Sequence, residues 1–245
     1  MYEPRKYRDL FSGQDLVFFN CMVKETDLQV GANRMMEGEV RAAVLKYREQ
    51  VEDYARANPT FLTSLSPVEP GPGAPQIVLS MCRAGAMAGV GPMAAVAGAI
   101  SEAVGRDMLE NWYTKEIIVE NGGDIFMKSV SPRRVGIYAG PSPLSQTFAV
   151  GISPDQTPLG ICTSAGSVGH SLSFGRADAA VILAPDTALA DAVATATANR
   201  VHGQEDLERA VSFAISVEGV VGALAIIGDR MAVMGEVKLV GLGAH

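Results

Sequence analysis

An alanine-rich stretch at residues 188–199, ALADAVATATAN, holds one carboxylate, Asp191, and a hydroxyl four residues later, Thr195. In a helix with about 100° per residue, these two side chains lie about 40° apart, on the side opposite Leu189 and Val193. A solvated face would carry Lys, Glu, Gln or Arg, so the alanines there predict close approach by another group. A carboxylate and a hydroxyl suit a hard cation such as Mg²⁺, completed by substrate phosphates.

The same carboxylate also has a structural interpretation. A negative side chain in the first turn of a helix interacts favourably with the positive end of the helix dipole, and Asp186 or Thr187 would then be the cap. This stretch alone supports the two interpretations of Asp191 equally.

A second candidate is the segment VENGGDI, in which Asn121, Gly122 and Gly123 separate two apolar runs. The spacing predicts a β-hairpin with an Asn-Gly turn, which is the favoured interpretation. The functional alternative is that the two glycines let a ring or a phosphate approach the backbone, with Asp124 at the mouth of the site.

A third candidate is the hydroxyl- and glycine-rich segment ICTSAGSVGHSLSFG at residues 161–175, which contains Thr163, Ser164, Gly166 and His170. Such a segment can wrap a phosphate through backbone amides and hydroxyls, or it can be an ordinary loop between strands. It lacks the G-x-S-x-G turn, so the sequence does not indicate a serine hydrolase. A lone histidine such as His170 is more often structural than a base.

Two other patterns are interpreted as packing features. The segment GVGPMA at residues 89–94 matches a dinucleotide-binding loop, but Pro92 removes an amide donor and no convincing strand precedes it. Residues 84–101 carry no charge and approach the length of a membrane span. Because bulkier residues recur at helical spacing after Pro92, we expect a buried helix there and no membrane span.

The composition narrows the possible functions. The chain has 245 residues, 48% hydrophobic content and a net charge of −7, so we expect one domain over residues 1–245 and no binding to nucleic acid. The three cysteines show no CxxC spacing, so the sequence contains neither the pattern of a zinc site nor that of a disulfide-bonded framework. The basic N-terminus lacks the apolar run of a signal peptide, so we expect a cytoplasmic protein.

The order of elements predicts an α+β fold. Helices and strands come in blocks rather than in strict alternation, and the short β-branched runs after residue 116 predict mostly antiparallel sheets packed with helices. The predicted elements are a strand at 15–23, helices at 35–58, 76–88, 92–111, 187–201 and 204–216, and strands from 116 onward that include a hairpin at Gly228-Asp229.

Taken in order, VENGGDI, TSAG and LADAVATATAN resemble motifs of the flavin transferase (ApbE-like) superfamily. The resemblance covers about residues 90–240, and the whole chain looks like a cytosolic branch of that superfamily found in bacterial and archaeal anaerobes. The resemblance implies an ApbE-like α+β fold. In characterised members, Mg²⁺ lies beside the Asp and Thr of the helical motif, FAD is split, and FMN is attached to Thr or Ser of a target protein.

Carried over to this chain, the resemblance implies Asp191 and Thr195 as metal ligands, with Gly122, Gly123 and Asp124 lining the nucleotide pocket. The resulting hypothesis is a Mg²⁺-dependent protein that binds FAD or FMN and processes the flavin pyrophosphate.

In that hypothesis Asp124 or His170 accepts the proton, and Thr163, Ser164 and Gly166 contact the cofactor.

The alternative is a non-catalytic binding or assembly protein, linked to sulfur assimilation in anaerobes. It is favoured by two departures from the family pattern, since Ala97-Gly98 stands in place of a Lys-Gly pair and the His-Ile-x-Asp-Pro segment is absent. For the sulfur link, Cys82 and Cys162 resemble buried small hydrophobic residues more than activated thiolates. The abundance of Ala and Gly also favours a homo-oligomer.

Overall fold

The computed structural model describes residues 15–166 and 175–242, and within these ranges the chain forms six α-helices and eleven β-strands. The helices are α1 (Glu37–Ala57), α2 (Pro59–Thr63), α3 (Gln76–Ala88), α4 (Val96–Asn111), α5 (Thr187–Ala198) and α6 (Leu207–Ser216). The strands are β1 (Val17–Val23), β2 (Thr26–Ala32), β3 (Ile117–Asn121), β4 (Asp124–Lys128), β5 (Arg133–Gly136), β6 (Phe148–Ile152), β7 (Leu159–Ser164), β8 (Ala179–Ala184), β9 (Gly222–Ile227), β10 (Arg230–Gly235) and β11 (Leu239–Gly241).

The strands form two sheets in which all described pairs are antiparallel. Eight strands lie in the order β1-β2-β3-β4-β7-β8-β9-β10, and three lie in the order β11-β6-β5. The predicted α+β class with antiparallel sheets and helices is therefore confirmed. The strand β2 was not predicted, whereas the hairpin at Gly228-Asp229 is present between β9 and β10.

The large sheet separates two apolar cores. Because side chains alternate along a strand, Val119 and Phe126 face the core formed with the helices, while Ile118 and Ile125 face the core formed with the small sheet. Phe126 is fully buried, a contribution of about 2–3 kcal/mol. It lies against Gly105 of α4, where a Cβ atom would be 2.2 Å from its ring. The glycine lets α4 lie close to the sheet.

Helix α5 explains the alanine-rich stretch. The carboxylate of Asp186 accepts a hydrogen bond of 2.9 Å from the backbone N–H of Leu189, which confirms the predicted cap. Of the twelve residues from Thr187 to Ala198, all except Thr195 are buried, because the helix packs against β7 and β8 and against α3 and α4. Alanine is therefore favoured at the positions of α5 that face these neighbouring elements.

The two patterns interpreted as packing features are confirmed in that role. Gly89 ends α3 at φ 73°, and a Cβ atom on Gly91 would lie 1.8 Å from the carbonyl oxygen of Ser64. In the part of the chain that the structure describes, no single helix is long and apolar enough to span a membrane. Helices 76–88 and 92–111 meet the criteria only as a pair, bent by 106°.

Candidate functional site

The Gly-Gly segment forms the turn of a two-residue hairpin between β3 and β4. Asn121 pairs with Asp124, and the intervening Gly122 and Gly123 have φ values of 69° and 103°. These are left-handed conformations that glycine adopts without strain. The predicted hairpin is therefore confirmed, with Gly-Gly rather than Asn-Gly at its centre. The carbonyl oxygen of Gly123 accepts a hydrogen bond of 3.2 Å from the backbone N–H of Thr163, which places the turn beside the end of β7.

Asp124 begins β4 on the helical face of the sheet, opposite Cys162 of β7. Its side chain is buried at 8% exposure, and its Oδ1 atom has no hydrogen-bond partner. Burial raises the pKa of Asp124 well above its ordinary value, and repulsion from the nearby Asp191 raises it further, while hydrogen bonds with the Cys162 thiol and the backbone of Thr163 oppose the shift. This carboxyl group is thus enclosed and incompletely satisfied.

Asp191 is buried to the same extent, at 8% exposure, and lies against the start of a different helix. Its Oδ2 atom accepts a hydrogen bond of 2.8 Å from the backbone N–H of Gly98, in the first turn of α4. The structural interpretation was therefore wrong about the partner, because the carboxylate meets the amides of α4 rather than those of its own helix. Burial raises the pKa of Asp191 to about 7, although the backbone N–H groups of Gly98 and Ala97 oppose the shift.

Gly98 is what allows this contact. A Cβ atom there would lie 2.4 Å from the carbonyl oxygen of Thr187 and 2.8 Å from Cβ of Asp191. The prediction that something closely approaches the alanine-rich helix is confirmed, and the approaching group is the backbone of α4. Sequence reasoning missed this donor, although a glycine in the first turn of a helix is a signal for close packing.

Further hydrogen bonds fasten the hairpin to the same end of α4. The Ser101 hydroxyl lies 3.0 Å from the carbonyl oxygen of Ala97 and 3.1 Å from that of Asp124. The side-chain amide of Asn121 donates to the carbonyl oxygen of Ala97 at 3.3 Å. The Cys162 thiol, 3.5 Å from the carbonyl oxygen of Thr187, joins β7 to α5. These contacts hold the residues Asp124 and Asp191 close to the same end of α4.

The other predicted site residues are placed less closely. Thr195 is half-buried one turn beyond Asp191, and Thr163 and Ser164 are half-buried at the end of β7. Gly166 lies beyond that strand, where its backbone N–H donates to the carbonyl oxygen of Ala177 at 2.7 Å. His170 lies outside the described residues.

Carboxylate and hydroxyl oxygens, such as those of Asp124, Asp191 and Thr195, are the kinds of ligand that a hard divalent cation prefers. Across residues 15–166 and 175–242, neither Asp124 nor Asp191 forms an ion pair. Within the same ranges, no group of three or more His, Cys, Asp or Glu side chains is arranged to hold a metal ion by itself. Mg²⁺ typically binds through one or two carboxylates together with substrate phosphates. The orphaned Oδ1 atom of Asp124 is the observation that favours such an ion here.

An open groove of about 600 Å³ lies elsewhere, between α6 and β10. Its lining includes Leu207, Val211 and Met231 but none of the predicted site residues. The chemistry of the buried carboxyl pair, rather than the size of this groove, therefore identifies the candidate site.

Comparison with known proteins places the chain in a family. The family model described as "AbpE bacteria" matches residues 8–233. A "UPF0280 protein" of Methanococcus aeolicus is 42% identical over 198 residues, which cover 79% of each chain. A "UPF0280 protein" of Methanocella arvoryzae is 40% identical over 213 residues, covering 87% of this chain and 86% of the relative.

Two solved structures share the fold. "Flavin Transferase ApbE from Vibrio cholerae" superposes with a TM-score of 0.62 at 14% identity, covering 90% of this chain and 96% of that one. The apo form of "Pseudomonas stutzeri flavinyl transferase ApbE" gives a TM-score of 0.61 at 13% identity, and the match covers 90% of this chain and 94% of that one. At such low identity the similarity establishes the fold alone.

Proposed function

The chain belongs to the AbpE bacteria family and has the fold of ApbE flavin transferases, and on this premise we propose that it binds FAD with Mg²⁺ and cleaves the FAD pyrophosphate. The products are AMP and FMN, the latter free if water attacks the FMN phosphorus and esterified if a protein hydroxyl attacks. The proposal is carried by one observation, a pair of buried carboxyl groups for which the described residues provide no cationic partner.

In this proposal Asp191 and Thr195 hold the cation. They lie one helical turn apart, and Asp191 is oriented by the backbone N–H of Gly98. Bound Mg²⁺ would neutralise the charge that develops on the pyrophosphate as AMP leaves. The same charge attracts the phosphates to a protein whose net charge of −7 otherwise repels them.

The nucleotide lies against the Gly-Gly turn and the end of β7. Gly122 and Gly123 have no side chains and therefore let a phosphate or a ring approach the hairpin. Thr163, Ser164 and Gly166 follow along the chain and would contribute hydroxyl and amide donors. The adjacency of Gly123 and Thr163 supports one binding surface made from both segments.

The attacking water or hydroxyl must lose a proton to a nearby base. Asp124 and His170 are the two candidates proposed for this role. Burial of Asp124 and its repulsion by Asp191 raise its pKa, which makes its carboxylate a stronger base than an ordinary aspartate.

Incubation with FAD and Mg²⁺, followed by chromatography, tests the proposal. We expect AMP and FMN in equal amounts from the wild-type protein, and loss of both products in Asp191→Asn. An asparagine retains an oxygen that accepts the hydrogen bond from Gly98 but removes the charge that a cation needs. Product formation no greater than with Asp191→Asn would reject the proposed reaction.

A non-catalytic binding protein is the second candidate, favoured by Ala97 at the place of the family's lysine. It predicts that FAD binds intact with Mg²⁺ and is released unchanged. A link to sulfur chemistry gains little support, because Cys82 and Cys162 are buried and burial raises the pKa of both thiols.

A cytoplasmic location, a single domain over residues 1–245 and a homo-oligomer belong to the same proposal. Cell fractionation, limited proteolysis and light scattering check these three points in turn.

A further inference from the structure

Resting on the proposed function, we infer that Asp124 is a second carboxylate ligand of the divalent cation held by Asp191, rather than the base of the reaction. The inference assigns the two acids to one ion.

The first support is the way helix α4 brings the two acids together. Gly98 binds the side chain of Asp191, and Ser101, three residues later on the same helix, contacts the backbone carbonyl oxygen of Asp124. On the opposite side, Cys162 pairs in register with Asp124 and donates to the carbonyl oxygen of Thr187, one helical turn before Asp191. The carboxylate of Asp191 and the backbone of Asp124 are therefore both held at the N-terminal end of α4.

The second support is the unsatisfied oxygen of Asp124. Its Oδ1 atom is fully buried and has no hydrogen-bond partner, while the residue as a whole is 8% exposed. A buried carboxylate oxygen without a donor costs several kcal/mol, and a second carboxylate nearby adds repulsion. One divalent cation between Asp124 and Asp191 removes both costs, because it satisfies the orphaned oxygen and neutralises both charges.

The enclosure of Asp124 argues against its acting as the base. A base must reach the proton it removes at about 3 Å, directly or through one water molecule. Asp124 is flanked by Cys162, which is fully buried, and by α4, so a reacting hydroxyl has little access to it. A metal ligand needs no such access, since the phosphates complete the coordination from the open side.

Asp107 provides a matched contrast. It is also 8% exposed, but its carboxylate accepts hydrogen bonds from Lys46, Tyr47 and Asn111, at 2.9, 3.0 and 3.1 Å. Its charge is compensated by the protein itself, and its pKa is lowered rather than raised. An asparagine at this position should therefore leave metal binding unchanged.

The experiment is a titration of the full-length protein with Mn²⁺, alone and with ADP, followed by electron paramagnetic resonance of the free ion. We expect Asp124→Asn to weaken Mn²⁺ binding by at least about 10-fold, as Asp191→Asn does, and Asp107→Asn to stay within about 2-fold of wild type. Thermal unfolding in a chelator shows that each variant is folded. If Asp124→Asn does not fold, Asp124→Ser carries the same expectation with a smaller side chain.

The outcomes separate this inference from the proposed function. If Asp191→Asn loses Mn²⁺ while folded Asp124→Asn binds it as wild type does, Asp124 is not a ligand and the proposed function stands. If the wild-type protein binds no Mn²⁺ even with ADP, both are rejected. Loss of binding in both site variants and not in Asp107→Asn establishes the shared ligand role.

Discussion

Two buried sites in this protein differ in how the charge of their carboxylates is compensated: one contains Glu116 and Arg133, and the other contains Asp124 and Asp191. Glu116 is 2% exposed and lies 2.6 Å from the guanidinium of Arg133, which also binds Asp15. Burial would raise the pKa of Glu116, but hydrogen bonds from Ser129 and Arg133 outweigh it, and the pKa is lowered. Asp124 and Asp191 are also buried, each at 8% exposure, yet burial raises the pKa of each and neither has an ion-pair partner among the described residues.

The difference indicates what each group is for. The charge of a carboxylate that has its own arginine is compensated within the fold, so this group needs no cation from solution. A carboxyl pair held only by thiol and backbone groups is stable when protonated or when a cation binds it. The first arrangement is structural, and the second is suited to ligand binding.

Removal of Arg133 is expected to have the largest effect on stability. Arg133→Met leaves Glu116 buried without its cation, and we expect the free energy of unfolding to fall by about 3–5 kcal/mol. Urea denaturation measures this loss. The control is Arg56→Met, which removes an exposed pair with Asp53 and should cost less than about 1 kcal/mol. Equal losses in the two variants would contradict the structural role of Arg133.

The pH dependence of stability should distinguish the other pair. Asp191 has a pKa of about 7 in the folded protein, against an ordinary value of 3.8, so the folded state retains a proton that the unfolded chain releases. Its contribution to stability therefore declines as the pH rises between these two values.

With a chelator present to remove metal ions, we expect the free energy of unfolding to fall by about 3 kcal/mol more for wild type than for Asp191→Asn as the pH rises from about 5 to about 8. Saturating Mn²⁺ should restore the stability of wild type at the higher pH. Parallel pH profiles for the two proteins would show that burial of Asp191 carries no such cost.

Substitution of Gly98 tests the contact that holds the pair. In Gly98→Ala the new Cβ meets the backbone oxygen of Thr187 at 2.4 Å, so α4 must shift away from α5. We expect a loss of about 1–3 kcal/mol in unfolding free energy and weaker Mn²⁺ binding. Gly38→Ala is the matched control, because nothing lies within 4 Å of its Cβ and the helix gains about 0.5–1 kcal/mol. An unchanged Mn²⁺ affinity in Gly98→Ala would argue against this contact as a positioning device.

The smallest effect on stability is expected for Asp186, the acidic residue that caps the N-terminus of α5. Asp186 caps the helix through the backbone N–H of Leu189 and pairs with the exposed Arg83. Asp186→Ala should cost about 1 kcal/mol in thermal or urea unfolding. Mn²⁺ binding should be unaffected, and a decrease comparable to that of Asp191→Asn would erase the distinction between the two acids.

The sequence predicted most of the elements because their signals are local. The periodicity after Pro92, the Gly-Gly turn and the cap at Asp186 each depend on residues close together in the chain. The strand β2 was missed, and neither of the two interpretations left open for Asp191 included the backbone amides of α4 as its partner. Gly98 lies 93 residues from Asp191 in the sequence. No local pattern predicts that a backbone N–H group so distant in the chain donates a hydrogen bond to the Asp191 carboxylate.

The adjacency of Asp124 and Asp191 depends in the same way on tertiary packing. The resemblance to a flavin transferase family placed both residues in one site, but it did not indicate that their carboxyl groups would lack a cation. That information comes from burial and hydrogen bonding, which only the fold determines.

The central claim is that a divalent cation binds between these two carboxylates. The direct test is a crystal structure of the protein with Mn²⁺ and ADP, with the ion located by anomalous scattering. We predict one peak within coordination distance of oxygen atoms from both Asp191 and Asp124, with ADP phosphates completing the shell. A peak elsewhere, such as beside Glu205 and Glu208 in the groove along α6, with the Asp124 and Asp191 side chains unchanged, would contradict the account.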